Sequence, residues 1–229
     1  MSKGGVWLIV IPVKTKGSNT YIIKDKRSII VDTGGKGNVD RILNVLQDEG
    51  ISIDDISLII ITHAHIDHYG SVKELKKKVA APVLIHKEDA SDMGQGVISS
   101  LYSRNKFAKM ILPFFETKTK EGYKADIVID KNISLVPYGV SGEIICTPGH
   151  TNGSISVFLE NKVAIIGDLL MGGSLGGLIN KTQPNLHYFV NNKYLEKKSI
   201  QSLQEKTLHT IYVGHGGPLN MTQFSSIAF

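Results

Sequence analysis

The run Leu58-Ile59-Ile60-Ile61 leads without a break into Thr62-His63-Ala64-His65-Ile66-Asp67-His68-Tyr69-Gly70. Consecutive apolar residues of this length describe a strand buried on both faces. The strand ends at Thr62, and three histidines and one aspartate then fall within six positions. His63 and His65 are two apart, so in an extended segment they point the same way. Asp67 and His68 belong to the tight turn that follows. That many polar groups at the end of a hydrophobic strand are costly unless something satisfies them. Imidazole nitrogen and carboxylate oxygen suit zinc, and also iron or manganese.

Other segments repeat this context. Strands are expected at Val6–Val13, Thr20–Lys24 and Ser28–Asp32, the last ending in Asp32-Thr33-Gly34-Gly35. A helix over Asn38–Glu49 has Val39, Ile42, Leu43, Val45 and Leu46 on one face, with Gly50 as its stop. A basic helix over Gly70–Ala81 turns Val72, Leu75 and Val79 inward and leaves Lys73, Lys76, Lys77 and Lys78 to solvent. Pro82–His86 is a further strand. Residues 87–124 are less regular and read as helical insertions placed to cover a cleft, with an apolar patch at Met110–Phe115. Strands return at Ile127–Ile129, Gly142–Thr147, Ser154–Leu159, Lys162–Ile166 and Thr210–Val213, and a helix at Val190–Lys206. His150, Asp168 and His215 each stand just past one of these strands, after a glycine that lets the backbone turn sharply. Several strand ends delivering histidine or aspartate to one rim is how a sheet scaffold assembles a site.

With 41% hydrophobic residues the chain has material for a sizeable core. No repeat or linker divides it, so residues 1–229 read as one domain. No apolar stretch reaches the roughly 18 residues of a membrane span. The lone Cys146 excludes an internal disulfide and reads as a packed thiol. Together with the absence of a signal-like start, it points to the cytoplasm. The +5 net charge fits solubility or attraction for anions.

In the order Asp32-Thr33-Gly34, His63-Ala64-His65-Ile66-Asp67-His68, Thr147-Pro148-Gly149-His150-Thr151, Gly167-Asp168 and Gly214-His215, the sequence resembles the metallo-β-lactamase fold superfamily. Within it, the chain is similar to the hydrolases related to glyoxalase II. The resemblance implies an α/β fold, a four-layer αβ/βα sandwich with the site at one edge between two sheets. It implies two divalent metal ions, zinc first, with iron or manganese as alternatives. His63, His65 and His150 would hold the first, Asp67, His68 and His215 the second, and Asp168 would bridge them. Asp32 would support the ligands from behind, without ligating.

Two such ions about 3.5–4 Å apart can share one water and make it hydroxide near neutral pH. Asp67 is the candidate to move the proton. The expected activity is hydrolysis of a small-molecule ester, thioester or lactone, the cationic centre favouring anionic substrates. Tyr69, His187 and Tyr188 are candidates for contact with substrate, whereas His86 and His209 read as structural or exposed. Asp168 stands where one major group of β-lactamases has cysteine, which argues against antibiotic hydrolysis. Gly176-Gly177-Leu178 lacks the arginine of related glutathione-thioester hydrolases. Met171 stands where homoserine-lactone lactonases have tyrosine. Two other chemistries use the same kind of site. One is phosphodiester or nucleic-acid cleavage, made less expected because no RNA-gripping insertion is visible. The other is a mononuclear iron persulfide dioxygenase using the equivalents of His63, His150 and Asp168.

Overall fold

The computed structural model describes residues 8–99, 101–114, 117–119, 122–225 and 227. Among these, the first half of the chain forms a six-stranded sheet in sequence order: β1 (Ile9–Val13), β2 (Thr20–Lys24), β3 (Ser28–Val31), β4 (Ile56–Ile60), β5 (Val83–His86) and β6 (Ile127–Ile129). The β1–β2 and β2–β3 pairs are antiparallel, and β3 to β6 run parallel. The parallel connections carry helices α1 (Val39–Asp48), α2 (Ile66–Tyr69), α3 (Val72–Leu75), α4 (Lys87–Gln95) and α5 (Lys106–Ile111). The second half gives a five-stranded sheet from β7 (Ile133–Ser134), β8 (Gly142–Cys146), β9 (Ile155–Leu159), β10 (Val163–Ile165) and β13 (Thr210–Tyr212), in the order β13-β10-β9-β8-β7. A hairpin of β11 (Met171–Ser174) and β12 (Ile179–Asn185) lies between β10 and β13 in the chain. Helices α6 (Lys193–Gln204) and α7 (Met221–Ser225) flank β13 in sequence.

Period-two alternation along the isoleucine-rich strands sorts their side chains into two layers. Ile23, Ile29, Val31, Leu58, Ile60 and Leu84 face Ile144, Ile155, Val157, Leu159 and Ile165, forming the core between the sheets. Ile22, Ile30, Ile59, Val83 and Ile85 point the other way, onto Val39, Ile42 and Leu46 of α1 and onto Val72, Leu75 and Val79. On the far side Phe158, Ala164 and Ile211 pack against Ile200 and Leu203 of α6 and Phe224 of α7. Helices, sheet, sheet and helices therefore make the four-layer αβ/βα sandwich, and the run at 58–61 is apolar throughout because both of its faces are covered.

The larger departures from expectation are at three boundaries and one hairpin. The first strand starts at Ile9; Val6 and Trp7 lie outside the described residues. The helix expected over Gly70–Ala81 begins earlier, at Ile66, and is split into α2 and α3. At that split, a Cβ on Gly70 would stand 2.6 Å from the Ile66 carbonyl oxygen and 2.8 Å from Lys36 N, so close packing holds the backbone there. The helix expected from Val190 begins at Lys193, because the Asn192 side chain accepts hydrogen bonds from the N–H groups of Tyr194 and Leu195 and caps it. The glycine-rich stretch after Asp168 forms the β11–β12 hairpin, which has no counterpart among the expected strands. In the 87–124 region the helical expectation holds for α4, α5 and a 3-10 turn at Leu112–Phe114; Phe115 lies outside the described residues. Among the described residues no helix is long and apolar enough to cross a membrane.

Ile29 is fully buried between the sheets, whereas Val136 is 63% exposed. Ile29→Ala is expected to cost about 2–5 kcal/mol in urea unfolding. Val136→Ala should stay within about 0.5 kcal/mol of the parent.

Candidate metal centre

Strands β3, β4, β8, β10 and β13 all end at one rim, because β3 and β4 are parallel, β10 and β13 are parallel, and β8 runs antiparallel to β9 as β10 does. Asp32 follows β3, His63 and His65 follow β4, His150 follows β8, Asp168 follows β10 and His215 follows β13. Asp67 and His68 sit on α2, so the helix that opens inside the histidine motif carries two of its donors. The sheets are tied together at this rim. The Tyr21 hydroxyl donates to the Val213 carbonyl (2.6 Å), and Asn19 N–H donates to that of Gly214 (2.7 Å).

Asp168 is the centre of the cluster and is 3% exposed. Its Oδ2 faces the Nε2 atoms of His187 (3.2 Å), His215 (3.3 Å), His150 (3.7 Å) and His63 (3.9 Å). Its Oδ1 approaches His68 Nε2 at 3.4 Å without hydrogen-bond geometry. Asp67, with a half-buried carboxylate, stands 3.3 Å from His215 Nε2. One donor atom from each of His63, His65, His150 and Asp168 falls within 4.8 Å of the others, and the same holds for Asp67, His68 and His215. The seven residues singled out by sequence thus come together as two groups that share a wall.

The nitrogen that faces inward is set by what the other nitrogen does. His150 Nδ1 donates to the Phe189 carbonyl (3.0 Å), leaving Nε2 as a lone pair towards Asp168. His68 Nδ1 donates to Asp32 Oδ2 (2.8 Å). Thr62 Oγ1 donates to Asp32 Oδ2 (2.8 Å) and accepts from His63 Nδ1 (3.1 Å). Asp32, at a left-handed φ of 58°, therefore orients His68 directly and His63 through Thr62 while staying out of the cluster. Inside, His63 Nε2, His68 Nε2 and Asp168 Oδ1 are buried without a hydrogen-bond partner among the described residues. A buried polar atom left unsatisfied costs on the order of 1–3 kcal/mol. A cation taking up lone pairs removes that cost, and an imidazole–carboxylate set is the donor chemistry of divalent transition metals. His65 Nδ1 and His150 Nε2 are 3.0 Å apart, the spacing of neighbouring ligands on one ion.

Without metal, the charges divide unevenly. Burial lowers His63, His65 and His150 below the ordinary imidazole range, reinforced for His63 and His65 by neighbouring imidazoles, so they are neutral. Burial also opposes charge on His68 and His215. There Asp168 outweighs it, helped by Asp32 and Asp67 at His68 and by Asp67 at His215, raising His68 well above its ordinary value and His215 to about 10. Burial would raise Asp168, but His215, His68 and His187 hold it well below the usual carboxylate range. Protons on two histidines thus supply the positive charge that the carboxylates need.

Of the substrate-contact candidates, only His187 lines the cavity above the cluster. Tyr69 is 2% exposed and packs into the core beside Ile66 and Val72, because its position on α2 points inward. The Tyr188 hydroxyl accepts from Leu175 N–H (3.0 Å), and its ring lies against Phe107. It braces the hairpin instead of facing the cavity. His86 caps α4 by accepting from Glu88 N–H (3.3 Å), and His209 is exposed.

Three supports carried no sequence signal. Asp89 on α4 accepts from Ala64 N–H, Thr151 Oγ1 and Gly153 N–H (2.8 Å each), joining the two histidine loops. Arg104 and buried Glu196 form a close ion pair, and Arg104 Nε donates to the His187 carbonyl (2.7 Å). Their separations of 25 to 92 positions hide these contacts until the fold exists.

The comparisons agree with this geometry. The family model described as the metallo-beta-lactamase superfamily matches residues 13–215. The chain belongs to that superfamily. It is 30% identical over 203 residues to a protein of Methanocaldococcus jannaschii named a probable metallo-hydrolase, covering 87% of each chain. It is 26% identical over 175 residues to a hydroxyacylglutathione hydrolase of Haemophilus influenzae, covering 73% of each. The native metallo-β-lactamase of Legionella gormanii shares the fold, with a TM-score of 0.64 at 20% identity over 92% of this chain and 78% of that one.

Gly214 shows how tightly the centre is built. A Cβ there would lie 2.0 Å from Asp168 Oδ1 and 2.6 Å from His68 Cε1. Gly214→Ala is expected to displace both groups and weaken divalent-metal binding at least about tenfold, a loss of ~1.4 kcal/mol. Chelator competition, with circular dichroism to verify the fold, measures it; unchanged affinity would contradict the placement.

Proposed function

We propose that this metallo-β-lactamase superfamily member hydrolyses a small-molecule ester, thioester or lactone with two divalent metal ions, zinc first among them. The observation that carries the reading is the convergence of His63, His65, Asp67, His68, His150, Asp168 and His215 around buried, unpartnered donor atoms. His63, His65 and His150 would hold one ion, Asp67, His68 and His215 the other, and Asp168 both. Bound there, the ions would supply a water acidic enough to ionise near neutral pH and a Lewis acid for the substrate oxygen. The hydrolase name of the Haemophilus relative supports the thioester within this class.

The protein's own groups do the rest. Asp67 faces the cavity with 39% of its side chain exposed, placed to take a proton from water and return it to the leaving group. His187 has a distinct task. Its Nδ1 lies 3.2 Å from Phe189 N–H and 3.4 Å from the Phe189 carbonyl, and accepting the shorter contact would place the ring proton on Nε2. That N–H points to the cavity floor beside Asp168 Oδ2, where it can donate to a developing oxyanion. The same tautomer makes His187 a donor in preference to an added metal ligand, although it also lies in a group with Asp168 and His215. The cavity of about 400 Å³ suits a small molecule.

The test is metal analysis of protein purified without added metal, followed by assay of the zinc-loaded form. The substrates are a thioester, an aryl ester, a lactone and bis-p-nitrophenyl phosphate. Two ions per chain are expected, with carbonyl-substrate turnover that a chelator removes and that Asp168→Ala reduces to background. Activity confined to the phosphodiester would overturn the substrate class. A single iron with oxygen uptake on glutathione persulfide would overturn the hydrolytic reading.

A further inference from the structure

The walls of the cavity above the metal cluster are chemically unequal. One set of lining residues is basic, Lys16 in the β1–β2 loop and Lys36 after β3. Another set is apolar, Ile98, Leu101 and Phe114 from the insertion between β5 and β6. The two lysine loops are held in fixed relation by buried Asn38. Its Oδ1 accepts from Lys16 N–H (2.8 Å), and its Nδ2 donates to the carbonyls of Lys16 (3.0 Å) and Gly35 (2.7 Å). Ser18 Oγ, two residues past Lys16, donates to the Asp67 carbonyl (2.8 Å) and ties this wall to the floor. The lysines are therefore part of a built rim.

Among the described residues neither ammonium forms an ion pair. The lysine charge remains available to a ligand. The insertion has the reverse character. Phe114 is 87% exposed and Met110, four residues earlier, is 64% exposed, so the insertion presents apolar surface to solvent. Exposed side chains of this size beside a cavity have no folding reason to be apolar.

We propose that the cavity takes an amphipathic anion, an acyl ester or thioester whose acyl chain lies along Ile98, Leu101 and Phe114 and whose leaving group carries an anionic substituent held by Lys16 and Lys36. The inference rests on the hydrolytic reading and adds its substrate class. Water adds across the bond between carbonyl carbon and leaving atom. The C–S or C–O bond breaks, hydroxyl goes to the carbonyl carbon, the remaining proton goes to the thiol or alcohol, and no oxidant is needed. The two unlike sets of lining residues orient the substrate, anionic end to the lysines and acyl chain to the insertion.

The test uses zinc-loaded protein with S-octanoyl thioglycolate, its neutral methyl ester, and the S-acetyl counterpart of each. Parent protein is expected to favour the anionic octanoyl thioester. In Lys16→Gln/Lys36→Gln the ratio of kcat/KM for anionic over neutral octanoyl substrate should fall about tenfold, through KM. In Leu101→Ser/Phe114→Ser the octanoyl-over-acetyl ratio should fall by a similar factor, and Lys78→Gln, exposed in the turn after α3 and outside the cavity lining, should change neither ratio. Ratios unchanged in the double variants would overturn the proposal. Calorimetric binding of (octylthio)acetate, which has no scissile carbonyl, separates the two readings. Binding weakened by Lys16→Gln/Lys36→Gln, without turnover of any thioester, would uphold the amphipathic-anion site and remove the hydrolytic reading. Binding equal in parent and variant, or absent from both, would overturn the site itself.

Discussion

Asp168 is a carboxylate buried at the meeting of two sheets and faced by five imidazoles, and the layout of this protein follows from the need to keep it there. An ionised carboxylate so placed is tolerable only with positive charge and hydrogen-bond donors around it. In the metal-free state protons on His68 and His215 serve that need. Divalent cations would serve it better, because they would also bond the unpartnered Nε2 of His63 and, in place of its proton, that of His68. The site is thus held in tension by the fold and relieved by a ligand, at the rim where five strands end.

The support around the cluster is as specific as the cluster. Asp32 joins His63 and His68 through Thr62, Asp89 joins the loops of His65 and His150, and Arg104 with Glu196 joins the insertion to the His187 segment. Each link spans elements that are distant in sequence, so the centre forms only when both sheets have packed. Gly149 extends the logic, since a Cβ there would lie 2.3 Å from Glu196 Cα. Loop, helix α6 and ligand share one tightly filled contact. The insertion that this contact steadies also carries the apolar wall of the cavity, so fold rigidity and substrate choice meet at Arg104.

Most of the centre was legible because its donors cluster in sequence or follow glycine at strand ends. The apolar run at 58–61 announced a strand covered on both faces, and His63-Ala64-His65-Ile66-Asp67-His68 announced a polar load that such a strand could not carry unaided. The cavity was less legible. Tyr69 was expected to meet substrate because it follows a ligand, but helical periodicity turns it into the core. Tyr188 and His187 are neighbours on opposite sides of an irregular strand exit, so one braces the hairpin and the other faces the cavity. The hairpin itself was hidden because glycine-rich strands lack the β-branched pattern that marks a strand. Asp89 and Arg104 were invisible for another reason: their neighbours are ordinary helix and loop residues, and only tertiary packing gives them partners.

The most direct test of the central claim is a crystal structure of the protein soaked or grown with zinc, with anomalous scattering recorded at the zinc edge. Two peaks are predicted on either side of Asp168, one within bonding distance of His63, His65 and His150 and the other of Asp67, His68 and His215. Scattering located elsewhere, or a zinc-replete crystal with no peak beside Asp168, would contradict the account.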